Sequence, residues 1–250
     1  MPSYRWLARH YDQLFSSGRK PMDDAREKIL GRILPRVTTA CDLACGTGAT
    51  ALLLARRGIR TYGVDLSAEM CRLARQKALR DRLPLRIIQA DMRRFRLPEP
   101  VDLVTCEFDA LNHIPTRAGL GLVARAVHRA LNPGGYFFFD VNNSLGFQRY
   151  WSGVVWFERP GIVMVMRNGH NRNATRAWSD IELFVSEGNL WKRHCEHVEE
   201  VCWERDTIRG VFEQSGLGSL RAWDGAPFFN NSLIAPGCRT VYLVRKSLSL

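Results

Sequence analysis

Between Thr38 and Val141, short and almost wholly apolar runs alternate with amphipathic stretches of helical period, each joined by a brief polar or glycine-bearing turn. Strands that are apolar on both faces must be covered on both faces. Helices following each strand supply that cover, which gives a parallel sheet between two helical layers. "TTACDLA", "IRTYGVDL", "LRIIQAD", "VDLVTCEF" and "GGYFFFDV" read as five strands. "GATALLLARRG", stopped by Gly58, "AEMCRLARQKAL", capped by Ser67, and "RAGLGLVARAVHRAL" read as helices. Upstream, "YRWLARHYDQLF" and "DDAREKILGRIL" read as two further amphipathic helices.

Beyond Val141 the period changes to short alternating runs rich in Val, Ile, Phe and Trp, such as "DIELFV", broken by "RPG", "RNGHNRN" and "SEGN". This pattern predicts an antiparallel sheet inserted into the parallel fold, with the tryptophans at 151, 156, 178, 191 and 203 as its core or, alternatively, as a substrate box. "WERDTIRGVFEQSG" returns to helix, and "LGSLRAWDG" and "RTVYLVRK" close the chain as strands joined by the irregular "APFFNNSLIAPGC". The expected organisation is a core of residues 1–141 and 204–250 with an insert at 142–203.

At 250 residues and 46% hydrophobic, the chain can bury one sizeable core. No stretch approaches the 18 or so apolar residues that a membrane helix needs, and the expectation is a cytoplasmic protein. Seven cysteines form no C-x-x-C pair and read as reduced thiols, so no metal is expected. His194 and His197 resemble a ligand pair, but their odd spacing in a strand sends them to opposite faces. Of the net charge of +11, nine cations fall between Arg72 and Arg96, opposed only by Asp81 and Asp91. Such a surface attracts phosphates or simply solvates a helix, and without interleaved aromatics it offers bases no stacking platform.

The turn between the first strand and first helix, "DLACGTG", gives up side chains at Gly46 and Gly48, and Asp65 ends the second strand 19 residues after Gly46. Ligands of open parallel sheets bind at this carboxyl edge, where the Asp65 carboxylate can accept two ribose hydroxyls. Gly46, Gly48 and Ala51 satisfy the dinucleotide pattern G-x-G-x-x-G/A. Asp42, immediately before the turn, would repel a pyrophosphate and favour a cationic nucleoside such as S-adenosylmethionine (SAM).

In these residues the sequence resembles the class I SAM-dependent methyltransferases. "DLACGTG", "GVDLS", "QADM", "VDLVTCEFDALNHI" and "LNPGGYFFFD" are similar to that family's motifs in order and spacing, with Ala44 where glycine is commoner. The resemblance implies an α/β fold: a doubly wound, mostly parallel seven-stranded Rossmann-like sheet, here with the antiparallel insert. It implies SAM as cofactor. The turn through Ala44, Gly46 and Gly48 would approach it, and Asp42 would order that loop and the cofactor's amino group. Asp65 would hold the ribose, Leu66 and Met70 would flank the adenine, and Asp91 and Met92 would meet the ring's edge. Cys106 and Glu107 would face the methionine portion, and Tyr11 would close over it. For transfer to a nitrogen or oxygen of a small-molecule acceptor, as in amino-sugar methyltransferases, the candidates to hold or deprotonate that acceptor are Glu107, Asp109, Asn112, His113 and Tyr11. RNA methylation, nicotinamide-dependent oxidation and SAM binding without turnover remain as alternatives, and a homodimer is left open.

Overall fold

The computed structural model describes residues 4–228 and 234–248. The chain opens with a 3-10 turn at Leu7–His10, helix α1 (Tyr11–Phe15) and helix α2 (Lys20–Leu30). Strand and helix then alternate: β1 (Thr39–Leu43), α3 (Ala49–Arg56), β2 (Arg60–Asp65), α4 (Ala68–Arg80), β3 (Leu85–Gln89) and β4 (Val101–Cys106). A 3-10 turn at Ala110–His113 leads to α5 (Arg117–Ala130) and β5 (Leu131–Asn142). After α6 (Ser144–Tyr150) come β6 (Gly153–Arg159), β7 (Ile162–His170), β8 (Arg176–Glu187) and β9 (Leu190–Val201), then α7 (Arg205–Glu213), β10 (Leu217–Asp224) and β11 (Arg239–Lys246).

Seven strands form one sheet in the order β3-β2-β1-β4-β5-β11-β10. The first five are parallel, and β11 runs antiparallel to both of its neighbours. Chain order reverses between β1 and β4, which opens a crevice at their carboxyl ends. Every residue of β1 is buried, as the run of apolar residues predicts for a central strand. Ser67 accepts the Met70 N–H at 3.3 Å and starts α4 as expected. On the other face, α5 buries Leu120, Val123 and Val127 beside a stack of Phe137, Phe139, Phe212 and Tyr242.

β6 to β9 form a separate antiparallel sheet in sequence order. Its tryptophans do not make its core. Ala177, Ser179, Ile181 and Leu183 point inward along β8, so Trp178 has the opposite parity and faces out. Trp156 and Trp191 are 64% and 55% exposed, and Trp203 is buried in the core of the large sheet. The inner face is aliphatic, and Ile162, Met164, Ile181, Leu183 and Val198 pack against Leu7 and Leu14. The N-terminal segment thus buries its apolar face on the inserted sheet. It is also not one helix, because His10 breaks it with φ −113° and ψ 1°. Helix α6 has no counterpart in the expectations. It is seven residues long, and Asn143 caps it by accepting the Gly146 N–H. Part of the irregular connection before β11, residues 229–233, lies outside the described residues.

Five of the nine cations of 72–96 form ion pairs. Arg72 pairs with Glu69, Lys77 with Asp12, Arg80 with Asp81, and Arg93 and Arg94 with Asp91. All seven cysteines are free; six are buried and Cys195 is exposed. Among the described residues no helix is long and apolar enough to cross a membrane.

One ion pair is fully enclosed. Arg26 of α2 reaches across to Glu107, just past β4, with Nη1 at 2.7 and 2.6 Å from the two carboxylate oxygens, and Thr50 donates to the same carboxylate at 3.1 Å. Removing one partner of such a pair strands a buried charge, at a cost of about 3–5 kcal/mol. Arg26→Met should therefore lower unfolding free energy by about that amount in urea titrations. A loss below about 1 kcal/mol would mean that Glu107 finds other relief, since surface pairs contribute only that much.

Candidate active site

The turn after β1 is left-handed at Ala44, Gly46 and Gly48, with φ of 56°, 53° and 85°. A side chain at Gly48 would place its Cβ 2.9 Å from the Cβ of Ala74, so that glycine is bare because α4 packs on it. At Gly46 the backbone itself is used: its N–H donates to Asp65 Oδ2 at 2.8 Å, while Oδ1 accepts the Ser67 N–H at 2.8 Å. An ionised carboxylate offers about four acceptor positions, so Asp65 retains capacity for a ligand. Burial pushes its carboxyl upward against the pull of these N–H groups.

Asp65 opens into a cavity of about 980 Å³ whose wall also includes Ala44, Leu66, Asp91, Met92 and His113. Leu66 is 59% exposed toward solvent. Asp91 accepts the Arg93 N–H at 2.9 Å and pairs with its guanidinium at 2.6 Å, which holds its carboxyl below the usual range. Across the cavity, the Glu196 carboxylate on β9 takes the backbone N–H groups of Tyr4 (2.6 Å), Trp6 and Leu7 (2.8 Å). Trp6 stacks on His194 at 4.0 Å, while His197 pairs with Asp180 and Glu199. Among the described residues no group of three or more His, Cys, Asp or Glu side chains could hold a metal. Cys195 lies in the wall as well.

Five expected contacts are not among the lining residues: Asp42, Gly46, Gly48, Met70 and Cys106. Met70 is buried beneath the turn with its sulfur nearest Gly46, and Cys106 lies in the sheet core, where burial pushes its thiol well up. Glu107 is in the enclosed pair with Arg26. Asp42 braces the turn from below, accepting from Thr105 Oγ1 at 2.8 Å and the Ala51 N–H at 3.1 Å. Both faces of the sheet are covered, so side chains of either parity at the strand ends are buried, and the sequence alone did not show which edge residues reach the cleft.

A second cavity of about 330 Å³ adjoins the first and shares Tyr4, His113 and Ile181 with it. Tyr11, Phe15, Phe108 and Trp151 give it aromatic walls. His113 Nδ1 is 3.1 Å from the Glu199 carbonyl oxygen, which can only accept, so Nδ1 carries the hydrogen. Nε2 then holds the lone pair, 3.3 Å from the Tyr4 hydroxyl. Burial pushes the Tyr11 hydroxyl up to about 12. Asn112 lines the larger cavity and not this one, and it also ties the loop down: its Nδ2 donates to the carbonyls of Asn142 and Val201 at 2.9 Å each.

The polar end of this cavity comes from a network that the sequence reading lacked. Asp140, on β5 and fully buried, accepts the Phe108 N–H (2.8 Å), the Asp109 N–H (3.0 Å) and Arg239 Nε (2.6 Å). It thereby holds Phe108 and Asp109 in consecutive left-handed conformations, φ 61° and 53°, that cost a non-glycine residue roughly 1–2 kcal/mol each. Asp109 also pairs with Arg239, and Asn142 Nδ2 bridges Asp109 (2.7 Å) and Glu200 (3.2 Å). Burial and the neighbouring Asp109 push the Glu200 carboxyl well above its ordinary value. The one available signal was parity in "HVEEV", where Glu200 shares the inward face with Val198.

Burial, with Glu107 nearby, raises Asp42 from 3.8 to about 7, so the fold favours its protonated form. The stability it contributes is complete below 3.8 and is lost as pH rises through about 7. Asp42→Asn keeps an acceptor for Thr105 and should flatten the decline in stability across that window. Urea midpoints measured from about pH 4 to about pH 8 test this, and an unchanged decline would assign it to other carboxyls.

A protein-family profile described as a methyltransferase domain matches residues 40–135. A Bacillus subtilis (strain 168) protein designated methyltransferase YqeM is 29% identical over 249 residues, covering 99% of this chain and 98% of that one. The crystal structure of a SAM-dependent methyltransferase from Clostridium acetobutylicum superposes with a TM-score of 0.81 at 26% identity, over 98% of this chain and 99% of that one. SAM-bound CalS10, an amino pentose methyltransferase from Micromonospora echinaspora, shares the fold at TM-score 0.70 and 21% identity, over 90% and 89% of the two chains. With the sheet order and the Asp65 edge, these likenesses identify the chain as a class I SAM-dependent methyltransferase.

Proposed function

We propose that the chain transfers the SAM methyl group to a nitrogen or oxygen of a small molecule seated in the 330 Å³ cavity, with His113 holding or accepting the acceptor's proton. The observation that carries this reading is that His113 lies in the walls of both cavities with Nε2 as an acceptor. The larger cavity's donor set suits a nucleoside, because Asp65 has open acceptor positions and Leu66, Met92 and Ile114 provide apolar surface for a ring. Asp65 would hold the ribose hydroxyls, and Leu66 and Met92 the adenine. Asp42, Gly46, Gly48 and Met70 would act from beneath, by shaping the turn. When bound, the cofactor supplies an electrophilic methyl on a sulfonium that leaves as a neutral thioether. Tyr4 and Trp6 exclude water above the cleft, and the aromatic walls fix the acceptor's orientation. A hydroxyl acceptor must lose its proton during transfer, which Nε2 can take; a neutral amine needs no base in that step.

The size of the second cavity favours a small acceptor. Pairing of five of the nine 72–96 cations with Asp12, Glu69, Asp81 and Asp91 lowers the charge that this surface offers to RNA. Free, mostly buried thiols favour a cytoplasmic setting.

Losing a charge-assisted hydrogen bond costs about 1.5–3 kcal/mol, so Asp65→Ala should weaken SAM and S-adenosylhomocysteine binding roughly 10- to 150-fold by calorimetry. Binding of NADH with SAM ignored would overturn the assignment of this cavity to SAM. His113→Ala should slow single-turnover methyl transfer to a hydroxyl acceptor by about 10²- to 10⁴-fold while changing SAM affinity far less. The wild-type rate should also fall on acidification, because a protonated ring cannot take a proton, and the variant should lack that limb. A pH profile shared by both proteins would remove His113 from proton transfer.

A further inference from the structure

We propose that Ser179, Asp109 and Glu200 form a specificity subsite in the smaller cavity that grips a hydrogen-bond-donating group of the acceptor, an ammonium group most strongly, and rejects acceptors bearing a carboxylate there. This rests on the assignment of that cavity to the acceptor. Ser179 is 1% exposed, lines the cavity, and its Oγ has no hydrogen-bond partner among the described residues. An orphaned buried hydroxyl has lost its water without a replacement, a cost that a ligand's polar group would relieve. In the β8–β9 register Ala177 pairs with Glu200 and Ser179 with Val198. Ser179 and Glu200 are therefore diagonal neighbours on one face, within reach of a single small ligand.

Charge sets the preference. Asp109, Asp140 and Glu200 stand together against one guanidinium, that of Arg239. The other guanidinium in the wall, Arg19, donates to Thr50 Oγ1 at 3.1 Å and lies over the Phe108 ring at 5.2 Å. Burial and the neighbouring Asp109 push the Glu200 carboxyl upward, and a cation entering the site opposes that rise. A ligand carboxylate placed beside Asp109 and Asp140 would meet like charge, and the guanidinium nearest to it, Arg239, is already shared by those two. The aromatic walls fit an apolar ring between these polar contacts, and they attract a cation through their faces.

The test uses three matched phenols, tyramine, tyrosol and 4-hydroxyphenylacetate, titrated by calorimetry and saturation-transfer NMR into protein loaded with S-adenosylhomocysteine. Tyramine should bind at least about tenfold more tightly than 4-hydroxyphenylacetate, with tyrosol between. Glu200→Gln should bring that ratio below about threefold, and Ser179→Ala should weaken tyramine and tyrosol by about five- to tenfold without moving S-adenosylhomocysteine affinity. Should Glu200→Gln fail to fold, Ser179→Ala and the wild-type ratio still decide. Equal or tighter binding of the carboxylate, a ratio that survives Glu200→Gln, or no binding of any phenol at about 10 mM overturns the subsite. Loss of S-adenosylhomocysteine binding in wild type would instead strike the methyl-transfer reading itself.

Discussion

One buried carboxylate, Asp140, organises the chemistry-bearing half of the molecule. It sits on β5, the neighbour of β4, and receives the two N–H groups that follow β4's end together with Arg239 from β11. One side chain ties three strands, at the carboxyl ends of β4 and β5 and the amino end of β11. Burial lifts Asp140 to about 6, while Arg239 opposes that rise. The result is a loop that could not hold its left-handed residues unaided, and that delivers Asp109 and, one turn later, His113 to the cleft.

The cofactor edge follows the same logic with smaller means. Asp65 fastens the turn after β1 through the Gly46 N–H and starts α4 through Ser67, so two segments of the nucleotide-type site share one carboxylate. Asp42 supports the turn from inside, between Thr105 and Ala51. The two glycines that first draw the eye have different reasons: one lends its backbone to Asp65, and the other makes room for Ala74.

The parallel sheet was legible because continuous apolar strands and capped helices each carry their own local signal, and the Asp65 edge was legible from its spacing. The inserted sheet was legible as strands but not as a surface. Reading Trp178 as core ignored that Ile181 and Leu183 fix the inward parity of β8. Cys106 and Glu107 show a similar limit, since being at a strand's carboxyl end does not say which way a side chain turns. Tyr4 and Glu200 meet at one cavity although 196 positions separate them, and no short-range pattern announces such a meeting.

The distribution of thiols gives the cleft a reporter of its own. Six cysteines are enclosed by the fold, and the seventh, Cys195, stands exposed in the wall of the larger cavity, on the strand that also anchors the N-terminal segment. A small alkylating reagent therefore meets one accessible sulfur in the native protein, and its rate of modification registers whether that cavity is open or filled.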